Sequence, residues 1–135
     1  MIVLDACAAV EMVRKSIEGM ALRQFMLKGE KAISCELYRA ETANVFRKLV
    51  RLENMSVNEA IANYTEAIAL VDEFHSIQDL QNEAFCESMR LDHSTYDLFD
   101  FVLARRMGAT LFTLDRKLMR LCEQNGVQCV SEIES

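Results

Sequence analysis

The stretch that decides the fold is residues 94–118, STYDLFDFVLARRMGATLFTLDRKL. Its apolar periodicity predicts a helix over 94–107, which Gly108 ends because glycine readily takes the left-handed conformation found after many helices. Residues 110–113 then predict a short strand, and 116–124 predict another helix. A helix, a tight turn, a buried strand and a further helix in direct succession are typical of a sheet covered by helices.

The rest of the chain continues this alternation of strands and helices. The patterns predict strands at 2–5, 31–34, 75–79 and 127–131, and helices at 7–27 with a break near Gly19, 36–53, 57–74 and 81–91. Alternation of this kind predicts an α/β fold whose parallel sheet is covered on both faces. Because there is no proline, few glycines and no low-complexity linker, we expect one domain over residues 1–135.

The composition excludes several classes of protein. With 51% hydrophobic and 27% charged residues the chain is globular, and no apolar run reaches the roughly 18 residues that a membrane span needs. The start, MIVLDACAAV, lacks the basic region of a secretory signal, so we expect a cytoplasmic protein. A net charge of −6 argues against a protein that mainly wraps nucleic acid. It does not exclude an enzyme that concentrates carboxylates in one pocket.

The cysteines and histidines do not form a recognisable metal motif. Five cysteines without a C-x-x-C pair support neither a zinc site nor a redox motif, and we interpret them as reduced thiols in or near the core. His75 and His93 have no second histidine or cysteine at ligand spacing. We therefore expect solvated or hydrogen-bonded roles for both.

The acidic residues form the most informative pattern. Asp5 closes the first predicted strand and Asp115 follows the strand at 110–113, so both should lie at the carboxyl edge of the sheet, where such sheets bind ligands. Asp97 falls in the first turn of the helix that opens at Ser94. Glu41 lies on a predicted core-facing stripe, which we assign to Leu37, Glu41, Asn44, Val45, Lys48 and Leu52. A carboxylate on such a stripe costs free energy unless it is paired or binds a cation.

Structural interpretations of these acids remain open at this point. Asp5 and Asp115 each precede a helix and could be N-caps. Ser94 and Asp97 match the spacing of a capping box. Glu41 could reach the surface or pair with Arg47 or Lys48.

If the four acids do gather, their chemistry is restricted. Carboxylates packed together raise one another's pKa and cannot all stay ionised unaided. Mg²⁺ or Mn²⁺, which prefer oxygen ligands, would remove that conflict. Such an ion acidifies bound water and stabilises the oxygens of a phosphodiester under attack. The pattern therefore indicates metal-dependent phosphodiester hydrolysis.

Three segments together resemble the PIN-domain family, especially the VapC-type toxins of prokaryotic toxin–antitoxin pairs. They are MIVLDACAAV, LYRAETANVFRKL and the stretch at 94–118. The resemblance implies a three-layer α/β/α sandwich around a short central parallel sheet. It also implies an endoribonuclease that depends on Mg²⁺ or Mn²⁺ and cleaves single-stranded RNA, a cognate antitoxin as partner, and a homodimer.

The resemblance also implies roles for individual residues. Asp5, Glu41 and Asp97 match the three central metal ligands and catalytic acids of the family, and Asp115 matches a fourth, more variable acid. Thr113 and Asn44 match residues that support the site. Asp100 stands where many relatives have an apolar or small residue, and it is either an additional metal-facing acid or an exposed neighbour of the site.

Two other functions compete with this one. The first is a catalytically inactive PIN-like module that binds protein, with its acids acting only as caps. The second is another Mg²⁺-dependent phosphoryl-transfer protein, such as a haloacid-dehalogenase-type phosphatase or a receiver domain. The phosphatase needs an Asp-x-Asp motif after the first strand, where this chain has Asp5-Ala6-Cys7, and the adjacent acids of a receiver domain are not evident.

Overall fold

The structure is a computed structural model that describes residues 1–26 and 29–130. Within them lie five strands and seven helices. The strands are β1 (Ile2–Leu4), β2 (Ala32–Cys35), β3 (Glu73–His75), β4 (Thr110–Phe112) and β5 (Cys129–Val130). The helices are α1 (Ala6–Arg14), α2 (Ile17–Met26), α3 (Leu37–Leu52), α4 (Val57–Ala69), α5 (Ile77–Leu91), α6 (Thr95–Met107) and α7 (Arg116–Gln124).

The five strands form one parallel sheet in the order β3-β2-β1-β4-β5. The chain moves outward from β1 through β2 to β3, then crosses to β4 and β5 on the other side of β1. The order therefore reverses between β1 and β4, where Leu4 is in register with Phe112. In open parallel sheets, ligands bind outside the carboxyl ends of the strands at such a reversal.

The pleat of β1 divides the core into two layers. Val3 points to the side covered by α5, α6 and α7, whereas Ile2 and Leu4 point to the side covered by α1 and α2. On the first side, the seven consecutive residues from Leu98 to Ala104 in α6 are all buried, as expected of a helix enclosed by other elements. Helices thus cover both faces of the sheet, which confirms the α/β/α sandwich.

The predicted helix at 7–27 is two helices, and the break predicted near Gly19 lies four residues earlier, at Lys15. Lys15 takes a left-handed conformation, with φ 62°, and separates α1 from α2. Gly19 lies inside α2, where a Cβ atom would stand 2.0 Å from the carbonyl oxygen of Glu11. This glycine is explained by the close approach of α2 to α1. Residue 27 lies outside the described part of the chain.

The boundaries around β3 also differ from prediction. The helix predicted at 57–74 ends at Ala69, and the strand predicted at 75–79 lies at Glu73–His75. Ser76 then begins α5, since its hydroxyl oxygen accepts a 3.1 Å hydrogen bond from the backbone N–H of Asp79. β5 is shorter than the strand predicted at 127–131, whose last residue is not among those described.

Two general expectations can be compared with the described residues. None of the helices described is long and apolar enough to span a membrane. All five cysteines are free thiols, but Cys7 and Cys86 are exposed. The expectation of thiols in or near the core therefore holds for Cys35 and Cys122, which are buried, and for Cys129, which is half-buried.

Candidate active site

Asp5 and Thr113 meet where the strand order reverses. Asp5 links β1 to α1, and its backbone N–H donates a 3.0 Å hydrogen bond to the carbonyl oxygen of Phe112 at the end of β4. The hydroxyl of Thr113, which is fully buried, donates to Oδ2 of Asp5 at 2.9 Å. Although Asp5 is at the N-cap position of α1, its side chain makes no capping hydrogen bond. The cap interpretation therefore fails for Asp5.

Asp115 is a helix cap, in contrast to Asp5. Its Oδ1 accepts hydrogen bonds from the backbone N–H groups of Lys117 at 2.9 Å and Leu118 at 3.4 Å. Its own backbone N–H donates to the hydroxyl oxygen of Thr113 at 3.0 Å. The capping bonds orient the Asp115 carboxylate at the start of α7, and Thr113 connects it to Asp5.

Asp97 does not form the expected capping box. The side chain of Ser94 makes no capping hydrogen bond to α6. The carboxylate of Asp97 instead lies with Oδ2 at 3.1 Å from Nε2 of His93. His93 therefore has a hydrogen-bonded role, as expected from its isolation in the sequence, but its partner is one of the candidate ligands.

Glu41 lies at the margin of the buried face of α3, and the predicted stripe is wrong. The buried residues of this helix are Tyr38, Thr42, Phe46 and Leu49. Asn44, Lys48 and Leu52 are exposed, whereas Glu41 is half-buried. Burial, followed by the negative charges of Asp5 and Asp97, raises the pKa of Glu41 to about 7. Glu41 therefore lies near enough to Asp5 and Asp97 for their charges to act on its carboxyl group.

Asp100 is the most buried of the candidate acids. It lies three residues after Asp97 in α6 and is only 9% exposed. Burial raises its pKa well above the ordinary value, and the charges of Asp5, Glu41 and Asp97 raise it further. An outward-facing position, one of the two considered from the sequence, is therefore excluded for Asp100.

Asp5 belongs to the same electrostatic group. Burial raises its pKa to about 6, the Thr113 hydrogen bond opposes that rise, and the charges of Asp115 and Asp97 add to it. Throughout residues 1–26 and 29–130, neither lysine nor arginine forms an ion pair with Asp5, Glu41, Asp97, Asp100 or Asp115. The negative charge at this edge therefore lacks a basic counter-charge from the described chain.

The carboxylate oxygens at this edge are the kind of ligand that a hard divalent cation prefers. In the described part of the chain, no group of three histidine, cysteine, aspartate or glutamate side chains is close enough to hold a metal ion by itself. Mg²⁺ does not require one, because it keeps several waters and commonly uses only one or two carboxylates. A divalent cation would stabilise the ionised form of carboxyl groups that have a raised pKa and no basic partner.

Two residues near the acids differ from expectation. Asn44, expected to support the site, is exposed and forms no side-chain hydrogen bond among the described residues. Cys7 follows Asp5 by two residues, and although the residue is exposed, partial burial of its thiol and the charges of Asp5 and Glu41 raise the pKa of that thiol to about 11. Cys7 was not among the predicted site residues. Its position in the first turn after Asp5 is the signal that could have indicated it.

Comparisons with known proteins agree with this fold. The sequence matches the family model described as PIN domain over residues 2–124. No curated protein matches the chain. The crystal structure of PAE2754 from Pyrobaculum aerophilum is similar, with a TM-score of 0.69 and 20% identity, and the match covers 88% of this chain and 82% of that one.

A second similar structure is that of VapC20 from Mycobacterium tuberculosis, described as a sarcin–ricin loop cleaving toxin. Its TM-score is 0.67 and its identity 18%, with 90% of this chain and 95% of that one covered. At such identities the two structures show a common fold and no more. The match to the family model extends over most of the sequence, and the chain therefore belongs to the PIN-domain family, a family of nucleases.

Proposed function

We propose that this protein is an endoribonuclease that depends on Mg²⁺ or Mn²⁺ and hydrolyses phosphodiester bonds in RNA. The observation that carries the proposal is the group of half-buried and buried acids at the reversal of strand order, which has no lysine or arginine partner among the described residues. Membership of the PIN-domain family sets aside the phosphatase and the receiver domain considered above.

In this proposal, Asp5, Glu41, Asp97 and Asp115 would bind one or two cations, each ion held by one or two carboxylates and by water, and Asp100 would be the additional acid. The chemistry that a bound divalent cation supplies is a more acidic water and stabilisation of the charge that develops on the phosphate. Asp97 or Asp115 orients the attacking water and accepts its proton. Thr113 keeps Asp5 and Asp115 in fixed relative positions through its two hydrogen bonds. Catalysis of this kind rests on positioning and charge stabilisation.

The start of α7 is suited to hold the RNA backbone. Arg116 and Lys117 directly follow Asp115, are exposed, and form no ion pair with any described residue. The N-terminus of a helix also favours anions. Arg105 and Arg106 do not offer the same surface, because they pair with acidic residues of α5. We therefore assign phosphate binding to Arg116 and Lys117.

Cleavage assays test this proposal directly. The wild-type protein and the Asp5→Asn, Asp97→Asn and Asp79→Asn variants are incubated with structured and unstructured RNA in Mg²⁺, Mn²⁺ or EDTA. Asp79 is an exposed aspartate in the first turn of α5, so Asp79→Asn serves as the matched control. We expect cleavage by the wild type and the control only with metal, and none by the other two. Full activity of both Asp5→Asn and Asp97→Asn would contradict the proposal.

Metal binding separates the enzyme from an inactive PIN module. Calorimetric titration with Mn²⁺ should show binding to the wild type and weaker binding to Asp97→Asn. Acids that act only as caps would bind no metal. That result would favour the inactive module over the nuclease.

We further propose that the protein is the toxin of a toxin–antitoxin pair. The structural likeness to the VapC20 toxin supports this role. An apolar groove of about 410 Å³ between α3 and α4, lined in part by Phe46, Val57, Ile61 and Tyr64, is suited to an apolar segment of an antitoxin. Arg47 and Arg51 also line this groove and favour acidic residues in that segment.

A growth assay tests the toxin role. Induced expression of the wild-type protein should stop growth, and expression of the Asp97→Asn variant should leave growth unchanged. Growth unaffected by the wild type would contradict the toxin role.

We also propose a homodimer, as the family resemblance implies. Phe85 and Met89 lie one turn apart on α5 and are 54% and 62% exposed. Burial of these side chains against a second copy would remove apolar surface from water. Sedimentation velocity should give a dimer for the wild type and a monomer for Phe85→Glu. A monomeric wild type at micromolar concentration would contradict this proposal.

A further inference from the structure

The turn between α5 and α6 places His93 in a fixed position. α5 ends at Leu91, and Asp92 takes a left-handed conformation with φ 51°. The backbone N–H groups of Asp92 and His93 both donate to the carbonyl oxygen of Ser88, the latter at 3.0 Å. Such bonds satisfy carbonyls that the end of a helix otherwise leaves free. The backbone of His93 is thereby anchored before α6 begins.

From this position the imidazole of His93 reaches forward to the first turn of α6. Its Nε2 lies 3.1 Å from Oδ2 of Asp97. The His93 side chain is 13% exposed and that of Asp97 is 41% exposed. A carboxylate that binds a cation only accepts hydrogen bonds, so in that role Asp97 would take its hydrogen bond from Nε2 of His93. Among the described residues, this is the hydrogen bond that a side chain makes to the Asp97 carboxylate.

The other aspartates of the predicted ligand set are restrained in comparable ways. The hydroxyl of Thr113 donates to Asp5. The N–H groups at the start of α7 donate to Asp115. His93 restrains Asp97 in the same way, through the contact between Nε2 and Oδ2. Fixing such a side chain before a ligand binds lowers the entropic cost of binding.

We propose that His93 is a positioning residue that holds the Asp97 carboxylate in the orientation required for a divalent cation. This inference rests on the proposed function, since it takes Asp97 as a metal ligand. The hydrogen bond at Oδ2 would limit rotation of the carboxylate, so that its remaining lone pairs keep one orientation toward a cation. Nε2 of His93 is engaged by Asp97, so His93 would act through that carboxylate. Carboxylate ligands are commonly oriented by such hydrogen bonds, and loss of an outer partner typically costs about 10- to 100-fold in metal affinity.

Mn²⁺ titration calorimetry on the full chain tests this role without using catalytic activity. The variants are His93→Leu, which has no donor, and His93→Gln, whose amide can replace Nε2 as a donor. We expect His93→Leu to bind Mn²⁺ about tenfold more weakly than the wild type, and His93→Gln to recover most of that affinity.

His75→Leu is the matched control for loss of a histidine that contacts a carboxylate. Nε2 of His75 lies 3.0 Å from Oε1 of Glu73, which is not a predicted ligand. This variant should bind Mn²⁺ like the wild type. If His93→Leu does not fold, His93→Asn takes its place, since the shorter asparagine amide cannot reach Asp97 in the same way and should also weaken binding.

The outcomes distinguish this inference from the proposed function. Wild-type affinity in both His93→Leu and His93→Asn, with a wild type that binds Mn²⁺ and cleaves RNA, overturns the positioning role and leaves the nuclease intact. Equal losses in His93→Leu and His93→Gln, with unchanged circular dichroism, also overturn it, since the donor would then be irrelevant. A wild type that binds no Mn²⁺ overturns both. Recovery in His93→Gln alone supports the inference.

Discussion

The hydroxyl of Thr113 donates a 2.9 Å hydrogen bond to Oδ2 of Asp5. The same hydroxyl oxygen accepts, at 3.0 Å, from the backbone N–H of Asp115. Asp5 follows β1 and Asp115 follows β4, the two strands between which the order of the sheet reverses. One buried side chain therefore fixes two acids that lie far apart in the sequence.

Thr113→Val should weaken both the metal site and the fold. It removes the donor to Asp5 and leaves the backbone N–H of Asp115 without its partner. We expect about tenfold weaker Mn²⁺ binding by calorimetry. The free energy of unfolding in urea should fall by about 1–3 kcal/mol, the cost of an unsatisfied buried polar group.

Thr42→Val is the matched control for this substitution. Thr42 is also fully buried, but its hydroxyl bonds only to carbonyl oxygens of its own helix, those of Tyr38 and Arg39. Its Mn²⁺ affinity should stay at the wild-type value. Thr113→Val with wild-type affinity would show that Asp5 needs no such restraint.

The stability of the metal-free protein should fall as pH rises from 5 to 8. The pKa values of Asp5 and Glu41 are raised to about 6 and about 7, and that of Asp100 is raised well above its ordinary value, each mainly by burial. The folded state therefore binds more protons than the unfolded state in this range. The stabilisation from protonation is complete near pH 4 and is lost as pH rises through these folded-state values.

Urea unfolding in EDTA across this pH range measures the effect. Glu73 and Glu87 have lowered pKa values because of hydrogen bonds to Lys31 and Arg90, so their contributions change only below pH 5. In the Asp100→Asn variant, the free energy of unfolding should decrease less between pH 5 and 8. Glu123 is at an exposed position of α7, and the Glu123→Gln variant should show the same decrease as the wild type. Saturating Mg²⁺ should restore stability at pH 8. Metal-free stability that increases from pH 5 to 8 would contradict this account.

The sequence predicted the positions of the acids that follow strands better than it predicted the contacts of the acids that lie in helices. Asp5 and Asp115 follow buried strands, and parallel strands necessarily bring their carboxyl ends to one edge. Glu41 was assigned to the wrong stripe because two overlapping stripes of α3 both have helical spacing. Contacts of α3 with α1 and α4 determine which stripe is buried, and those contacts are not visible in a local pattern.

The contact between His93 and Asp97 could not be predicted for a different reason. It depends on the left-handed turn at Asp92, a conformation that is normally indicated by glycine or asparagine. Because residue 92 is neither glycine nor asparagine, the sequence does not indicate how the end of α5 is placed relative to the start of α6. The capping box that Ser94 and Asp97 suggest is the local alternative, and the imidazole of His93 competes with it for the carboxylate.

Substitution of Arg116 and Lys117 should weaken RNA binding without changing the metal site. Both are exposed next to Asp115, and neutralising them removes cationic partners of the phosphates. We expect Arg116→Gln with Lys117→Gln to raise KM with kcat nearly unchanged. The slope of log binding constant against log salt should fall by about 0.7 for each phosphate of a single strand that the protein no longer neutralises.

Arg105→Gln is the control for this prediction. Arg105 is already engaged by Glu83 and Glu87 at 3.1 and 3.2 Å. Its removal should leave KM and the salt slope of RNA binding unchanged. An equal effect of Arg105→Gln and of the double variant would show that the charge effect is not localised at α7.

Gly19→Ala should destabilise the protein, although alanine is ordinarily the better helix former by about 0.5–1 kcal/mol. A Cβ atom at Gly19 would lie 2.0 Å from the carbonyl oxygen and 2.2 Å from the carbonyl carbon of Glu11. Both atoms belong to the backbone of α1, so a side-chain rotation cannot relieve the clash. Separation of α1 from α2 would instead disturb the core around Met12 and Leu22. We expect a loss of about 3 kcal/mol or more in the free energy of unfolding in urea.

Gly108→Ala separates this packing effect from conformational strain. Gly108 has φ 61° and open space around its Cβ position, so alanine there should cost only about 1 kcal/mol from its left-handed backbone. The two substitutions add the same methyl group, and the larger loss at Gly19 would therefore measure the contact between α1 and α2. If Gly19→Ala were as stable as the wild type, the close approach of these helices would be wrong. Asp5, which immediately precedes α1, would then lack the fixed support that the proposed site requires.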